Sequence, residues 1–250
     1  MKDDLGTRMK ERYENRSQIL LPRRTYAILR LDGKAFHTFT ASMQKPFDGC
    51  IVQVMDITAQ VLCDEIQGAQ FAYSQSDEIS VLLTDFTVAK TDAWFDYNIQ
   101  KITSIAGSLA TAAFNANLMA LLGQYAKWAL FDARVFVIPD PVEVSNYFVW
   151  RQKDWIRNSI QMLAQSLYSH KELHEKNCQD MHEMIHQKGQ NWAKLPDRLK
   201  NGGFVVRNEE RKWQIIPAWV FTQDRERLAK LIPVPGYSME DINEDSADIQ

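Results

Sequence analysis

The chain has 250 residues, of which 45% are hydrophobic and 24% charged, and its formal net charge is −3. That length suits one large domain or two small ones with a substantial core, and the composition is that of a soluble globular protein rather than a low-complexity or fibrous one. Cys50, Cys63 and Cys178 lack CxxC spacing, which argues against a disulfide or zinc framework and for a reducing, cytoplasmic setting. No apolar run reads as long enough to cross a membrane, so no membrane partner is expected, and the charged start "MKDDLGTRMKERYENR" does not read as a secretory leader.

In chain order, the first segment reads as a helix, with Leu5, Met9 and Tyr13 at i, i+4 and i+8. "TYAILRL", Thr25 to Leu31, reads as a buried strand. Asp48 then stands where a helix N-cap belongs, ahead of Val54, Met55, Thr58, Val61, Leu62 and Ile66 at helical spacing. "AQFAY" and "EISVLLTDF" flank the turn "SQSD" as a hairpin. A long helix is expected from Asp92 to about Leu122, with Ala106, Gly107, Ser108, Ala110, Ala112 and Ala113 as a small-residue face. Ala133 to Pro139 reads as a strand that the proline stops.

Beyond Pro141 the expectation is a helix through "WRQKDWIRNSIQM", short helices broken at Gly189, Pro196 and Gly202-Gly203, and a closing hairpin. "SMEDINEDSADIQ" carries five acids and no cation, so the rest of the chain is mildly basic, and the tail reads as disordered.

The order strand, helix, strand, strand, helix, strand defines an α+β, ferredoxin-like fold, the split β-α-β-β-α-β pattern of polymerase and cyclase palm domains, with added helices and a C-terminal extension. In it the first and third strands are antiparallel neighbours, which brings Asp32 at the end of one beside Asp77 at the start of the other, about 5 Å apart. Two carboxylates there suit Mg²⁺, whose preferred ligands are hard oxygens. Taken alone, these residues fit a turn at Asp32-Gly33 and a strand cap at Asp77 equally well.

"RLDGKAFHTF", "KPFD" and "YSQSDEIS", followed by "FDARVFVIP" and "WRQKDW", resemble the tRNA-His guanylyltransferase family of 3'-to-5' polymerases over most of the chain. The resemblance implies two Mg²⁺ ions on Asp32, the Gly33 carbonyl and Asp77, with Asp32 and Asp77 catalytic. It implies a nucleotide triphosphate wrapped by Asp32, Gly33, Lys34, Ala35, Phe36 and His37, whose loop amides suit phosphate, with Lys45 and Ser76 also in contact. Glu78 is expected to support the site or face solvent. Asp48, Lys101, Arg151, Arg157 and Asn158 are candidates for a second nucleotide or the tRNA 5' end; Asp48 reads equally as a helix cap, and Lys101 as a solvated helix lysine. Residues 1–139 would form the catalytic domain, 140–237 a C-terminal helical and hairpin region, and 238–250 the tail.

Members dedicated to adding one guanosine carry HINNLYN after RQxD; here Ile156 replaces the leading His and only Asn158 clearly survives. The likeness is therefore greater to the bacterial and archaeal proteins of the family that repair 5'-truncated tRNAs by templated addition. Expected partners are tRNA, ATP and GTP, in a homotetramer. A palm-type nucleotidyl cyclase and a silent tRNA-binding protein are the alternatives. His170, His174, His182 and His186 have i, i+4 spacing but no Cys partner, and are expected to face solvent or RNA more than zinc. Arg198, Lys200, Arg207, Arg211 and Lys212 are either contacts to tRNA phosphates or plain surface.

Overall fold

A computed structural model describes residues 4–88, 90–123 and 127–236. The acidic tail lies outside the described residues. Helix α1, Leu5–Arg12, is capped by the Asp4 side chain but buries none of its residues; its expected apolar row, Leu5, Met9 and Tyr13, is exposed. Strand β1, Tyr26–Gly33, is followed by a single turn, α2, Phe36–Phe39, and then by α3, Gly49–Glu65. Asp48 does cap α3, accepting from the amides of Cys50 and Ile51 at 2.9 and 3.1 Å. β2, Ala69–Gln75, and β3, Glu78–Leu83, form the expected hairpin around Ser76 and Asp77.

Helix α4 begins at Ile99, not Asp92, and ends at Leu122. Residues 94–97 instead make a 3₁₀ turn in which Phe95, Asp96 and Tyr97 have positive φ. Trp94 and Tyr97 are buried there and Asp96 pairs with Arg23. Asn98 then caps the helix through Lys101 N. Those tertiary contacts override helix propensity, which is a weak preference. Contrary to expectation, α4 is long and apolar enough, by length and composition, to cross a membrane. Its Ala-rich run carries few charges because one side packs on the sheet through Ile102, Ala106, Ala110 and Phe114. Gly107 is needed for that approach, since a Cβ there would meet the Phe131 carbonyl at 3.0 Å.

β4, Phe131–Ile138, leads through the Asp140 cap into α5, Pro141–Leu167. α6, Cys178–Gln187, and α7, Asp197–Asn201, follow. Then come β5, Gly203–Arg207, β6, Trp213–Pro217, and α8, Arg225–Leu231. One sheet has the order β4-β1-β3-β2-β5-β6, with every pairing antiparallel. The first four strands thus lie as the β-α-β-β-α-β order requires. The C-terminal hairpin continues the same sheet, with Gly203 opposite Ser74.

Side chains alternate across the sheet. Leu29, Leu31 and Val81 pack under α3 and α4. Tyr26, Ile28, Phe71 and Leu82 pack under α5 and the C-terminal segment. A third, smaller cluster joins the far half of α5 to α6 through Ile160, Leu163, Met181 and Ile185. Toward one end of that face the strands turn polar, with Asp32 on β1, Glu78 on β3 and Asp132 on β4.

Candidate active site

Asp32 lies opposite Glu78 on β3 and opposite Asp132 on β4. Asp77 immediately precedes β3, in a turn where Ser76 takes φ 46°. The Gly33 amide donates to the Asp77 carbonyl at 3.0 Å. The two acids that are far apart in sequence are therefore held side by side at the sheet end. Both are partly buried. Burial pushes the Asp77 carboxyl up to about 6; a hydrogen bond from Ser76 lowers it, and the neighbouring Asp32 charge raises it. Asp32 is also raised, first by burial and then by Glu78 and Asp132. Like charges gathered in a half-dry pocket are unfavourable without a counter-charge. A divalent cation preferring oxygen ligands fits this donor set. Among the described residues, no group of three or more His, Cys, Asp and Glu side chains is gathered as a metal centre; Asp32 and Asp77 stand as a pair.

The loop after Asp32 has little room to vary. A Cβ on Gly33 would lie 2.3 Å from the Phe36 ring. That ring is 6% exposed and packs on Phe39, Phe114 and Phe131. Phe36 is thus first an anchor of the loop, with only an edge toward the cleft. Ala35 has φ 51°. The amides of Gly33 and Lys34 are already engaged, by the carbonyls of Asp77 and Leu130. Phosphate contacts from the loop backbone therefore fall to residues after Lys34.

A cleft of about 440 Å³ opens beside Asp77, lined by His37, Thr40, Lys45, Ser76 and Asp77 on one side and by Met162, Gln165 and Ser166 on the other; Asp32 is not part of its lining. Lys45 Nζ donates to the Thr40 carbonyl at 3.0 Å. Met162, Gln165 and Ser166 of α5 were not singled out in the sequence. Their spacing shows that they share a helix side, but nothing local says that this side faces the turn. Lys34 lines a different groove, of about 670 Å³, with Thr103, Ser108 and Asp132. Lys101 is exposed on the first turn of α4, outside the lining of the cleft.

The RQxD stretch is mostly internal. Arg151, expected to face nucleotide or RNA, is 8% exposed. Its Nε and Nη2 donate to the two Glu78 oxygens, each at 2.7 Å, and Nη2 also reaches Asp154 at 3.2 Å. Glu78 needs that partner because a buried, unpaired carboxylate is costly; of its two expected placements, it does not face solvent. Gln152 bridges to the carbonyls of Asn201 and Trp219 and accepts from the Phe221 amide. Arg157 is exposed and pairs with Asp154. Asn158 is half-buried.

Arg198 also departs from expectation. It is no surface contact: it makes a forked pair with Asp56 at 2.8–3.0 Å, and Ser74 Oγ donates to the same carboxylate at 2.7 Å. Arg207, Arg211 and Lys212 do share one groove with Trp213 on the β5–β6 hairpin. Lys200 pairs with Asp197. His170, His174 and His186 are exposed, and His182 meets Trp192 edge-on.

Residues 6–139 match the family described as Thg1: tRNAHis guanylyltransferase. A bacterial tRNA(His) guanylyltransferase (Thg1)-like protein solved in complex with ATP superposes with a TM-score of 0.86 at 39% identity, covering 92% of this chain and 99% of its own. A structure of such a bacterial protein with GTP gives 0.78 at 35% identity, covering 92% and 100%. A probable tRNA(His) guanylyltransferase of Drosophila melanogaster is 27% identical over 218 residues, 77% of this chain and 72% of that one.

The mixed fold, helices packed on an antiparallel sheet and matched over almost its whole length to these structures, is that of a nucleotidyltransferase. The chain belongs to the Thg1 family of tRNAHis guanylyltransferases.

Proposed function

We propose that this protein is a template-dependent 3'-to-5' nucleotidyltransferase that restores truncated tRNA 5' ends on a polymerase-type palm. The observation that carries the reading is the Gly33–Asp77 hydrogen bond, which ties the strand end that bears Asp32 to the turn that sets Asp77 in the cleft wall. The neighbours solved with ATP and with GTP support a nucleoside triphosphate as the cleft's occupant. The departure from HINNLYN at Ile156 favours repair over a dedicated single addition.

The reaction has two displacements. An oxygen of the RNA 5'-monophosphate attacks the α-phosphorus of ATP or GTP, and pyrophosphate leaves. The 3'-hydroxyl of an incoming nucleotide then attacks the capped 5'-phosphorus; the nucleoside monophosphate leaves and the hydroxyl proton is lost. An end that already carries a triphosphate skips the first step. Asp32, Asp77 and the Gly33 carbonyl would hold two Mg²⁺ ions. Bound there, magnesium polarises phosphoryl oxygens and offsets charge in an in-line displacement.

The chain's own part is positioning. Lys45 and His37 line the cleft with Asp77 and would meet the phosphate oxygens there. Ser76 stands in the turn and donates toward Asp77. Glu78 and Arg151, locked together, hold β3 against α5 so that the turn keeps its place. Lys34 and Lys101, outside the cleft, are available to the RNA 5' end. A homotetramer, with tRNA spanning subunits, is the assembly we propose, in the cytoplasm.

The names of the relatives support single-guanosine addition to tRNA-His equally well. Extension of a 5'-truncated tRNA with each of the four nucleotides, against templates differing at the opposing base, separates the readings. Addition that follows the opposing base supports repair. Guanosine regardless of template supports the dedicated enzyme. A cyclic nucleotide formed without RNA, or binding without pyrophosphate release, would defeat both.

A further inference from the structure

Trp150 opens the WRQKDW stretch and has no part in the chemistry above. It is 54% exposed, whereas Tyr147, Arg151 and Trp155 around it on α5 are buried. An exposed indole leaves apolar area in water that the fold could otherwise remove. Its setting is nonetheless fixed. The Arg151 guanidinium lies over the ring, 4.5 Å from its centroid. Tyr147 meets it edge-on at 5.9 Å and 68°. Both braces are themselves anchored, Arg151 by Glu78 and Tyr147 through its hydroxyl to Ser80 Oγ at 2.8 Å. The ring is therefore a supported shelf and not a freely rotating surface side chain.

Through Tyr147 the shelf is linked to β4. Tyr147 packs on Phe136 of β4. Trp150, one helical turn on, shares that side of α5 and so faces the next stretch of β4 and β1. That stretch holds Arg134 opposite Arg30, then Asp132 opposite Asp32. Arg134 is exposed and paired with Asp132 at 3.1 Å, and the Nε of Arg30, which makes no hydrogen bond, lies 4.0 Å from Glu78 Oε2 in an ion pair. Trp150 on the helix, Arg134 and Arg30 on the strands and Asp32 at the strand end thus supply an aromatic ring, two guanidinium groups and a carboxylate. A nucleotide presents the same series: a base, a sugar-phosphate and a reacting phosphorus.

We propose that Trp150 stacks the base of the RNA's 5'-terminal nucleotide and so positions its 5'-phosphate toward Asp32. Stacking accepts any base, because every base has a π-face. That suits an enzyme that must take whichever residue ends a truncated RNA. The inference rests on the proposed function, and its test separates the two.

Equilibrium binding is measured for wild type, Trp150→Ala and Trp150→Phe with two RNAs. One is a 5'-truncated, 5'-monophosphorylated tRNA; the other is the same RNA with an abasic 5'-terminal residue. Extension of the first RNA is followed in parallel, and thermal melts check folding. Trp150→Ala should bind the intact RNA about 10-fold more weakly, and Trp150→Phe should retain most of the affinity. The abasic RNA should bind wild type with a similar loss, and Trp150→Ala should lose nothing further on it. Equal weakening of both RNAs by Trp150→Ala would mean a structural role and overturn the proposal. So would unchanged RNA affinity with a raised KM for the incoming nucleotide. Wild type that extends RNA while Trp150→Ala binds and extends it equally overturns this inference alone; wild type that neither binds nor extends RNA overturns the proposed function with it.

Discussion

The amide of Gly33 donates to the carbonyl of Asp77 at 3.0 Å, which joins the end of the first strand to the turn of the central hairpin. Any change that moves Gly33 therefore moves both acids. Gly33→Ala puts a Cβ 2.3 Å from the Phe36 ring. Phe36 cannot swing away freely, because Phe39, Phe114 and Phe131 enclose it. Overpacking of this kind costs about 1–3 kcal/mol. Thermal denaturation should show that loss, and nucleotide addition should fall by more than the lost stability explains.

Asp77→Asn should separate stability from activity. Ionised Asp77 is held in a partly dry turn next to Asp32, which is why its carboxyl is pushed up to about 6. Neutralising it removes an unfavourable charge at pH 7. With magnesium chelated, the variant should be more stable than wild type by about 1 kcal/mol, allowing for solvent screening at this half-buried site. Its extension activity should be lost. A variant that is both less stable and fully active would show that Asp77 is an ordinary turn residue.

Arg151 and Glu78 form a buried, two-pronged pair at 2.7 Å. Removing one partner strands a charge, at about 3–5 kcal/mol. Arg151→Met should therefore destabilise strongly, and Arg151→Met with Glu78→Gln should recover a good part of the loss. A double-mutant cycle in urea measures the coupling; additivity would mean that the pair does not form.

Arg198 tests the same logic at a second pair. Paired with Asp56 and Ser74, it should matter for stability and not for phosphate contact. Arg198→Ala should lower the melting temperature but leave the slope of log affinity for tRNA against log salt unchanged. Arg211→Ala, on the exposed hairpin groove, should reduce that slope by about one phosphate's worth if RNA runs there.

The strands and their order are legible because short β-rich runs on either side of a polar turn, SQSD, are local signals, and the order then makes Asp32 and Asp77 neighbours; β2 runs on through Gln75, so the turn itself is only Ser76 and Asp77. The roles of the arginines are not legible. Arg151 pairs with a residue 73 positions away and Arg198 with one 142 positions away, and nothing next to either distinguishes a buried guanidinium from a surface one. The start of α4 was misplaced because Trp94, Tyr97 and Asn98 obey tertiary contacts that periodicity does not contain. In the same way, the closing hairpin was readable as a hairpin, but the edge it joins, beside β2, was not.

The central claim is that Asp32 and Asp77 together carry nucleotide transfer to an RNA 5' end. The most direct measurement is extension of a 5'-truncated, 5'-monophosphorylated tRNA in magnesium with all four nucleotides, by wild type and by Asp77→Ala of verified fold. Wild type should extend the RNA and release pyrophosphate, and Asp77→Ala should be slower by at least about 1000-fold, the scale on which preorganised charge stabilisation acts. Extension by Asp77→Ala at the wild-type rate would contradict the account.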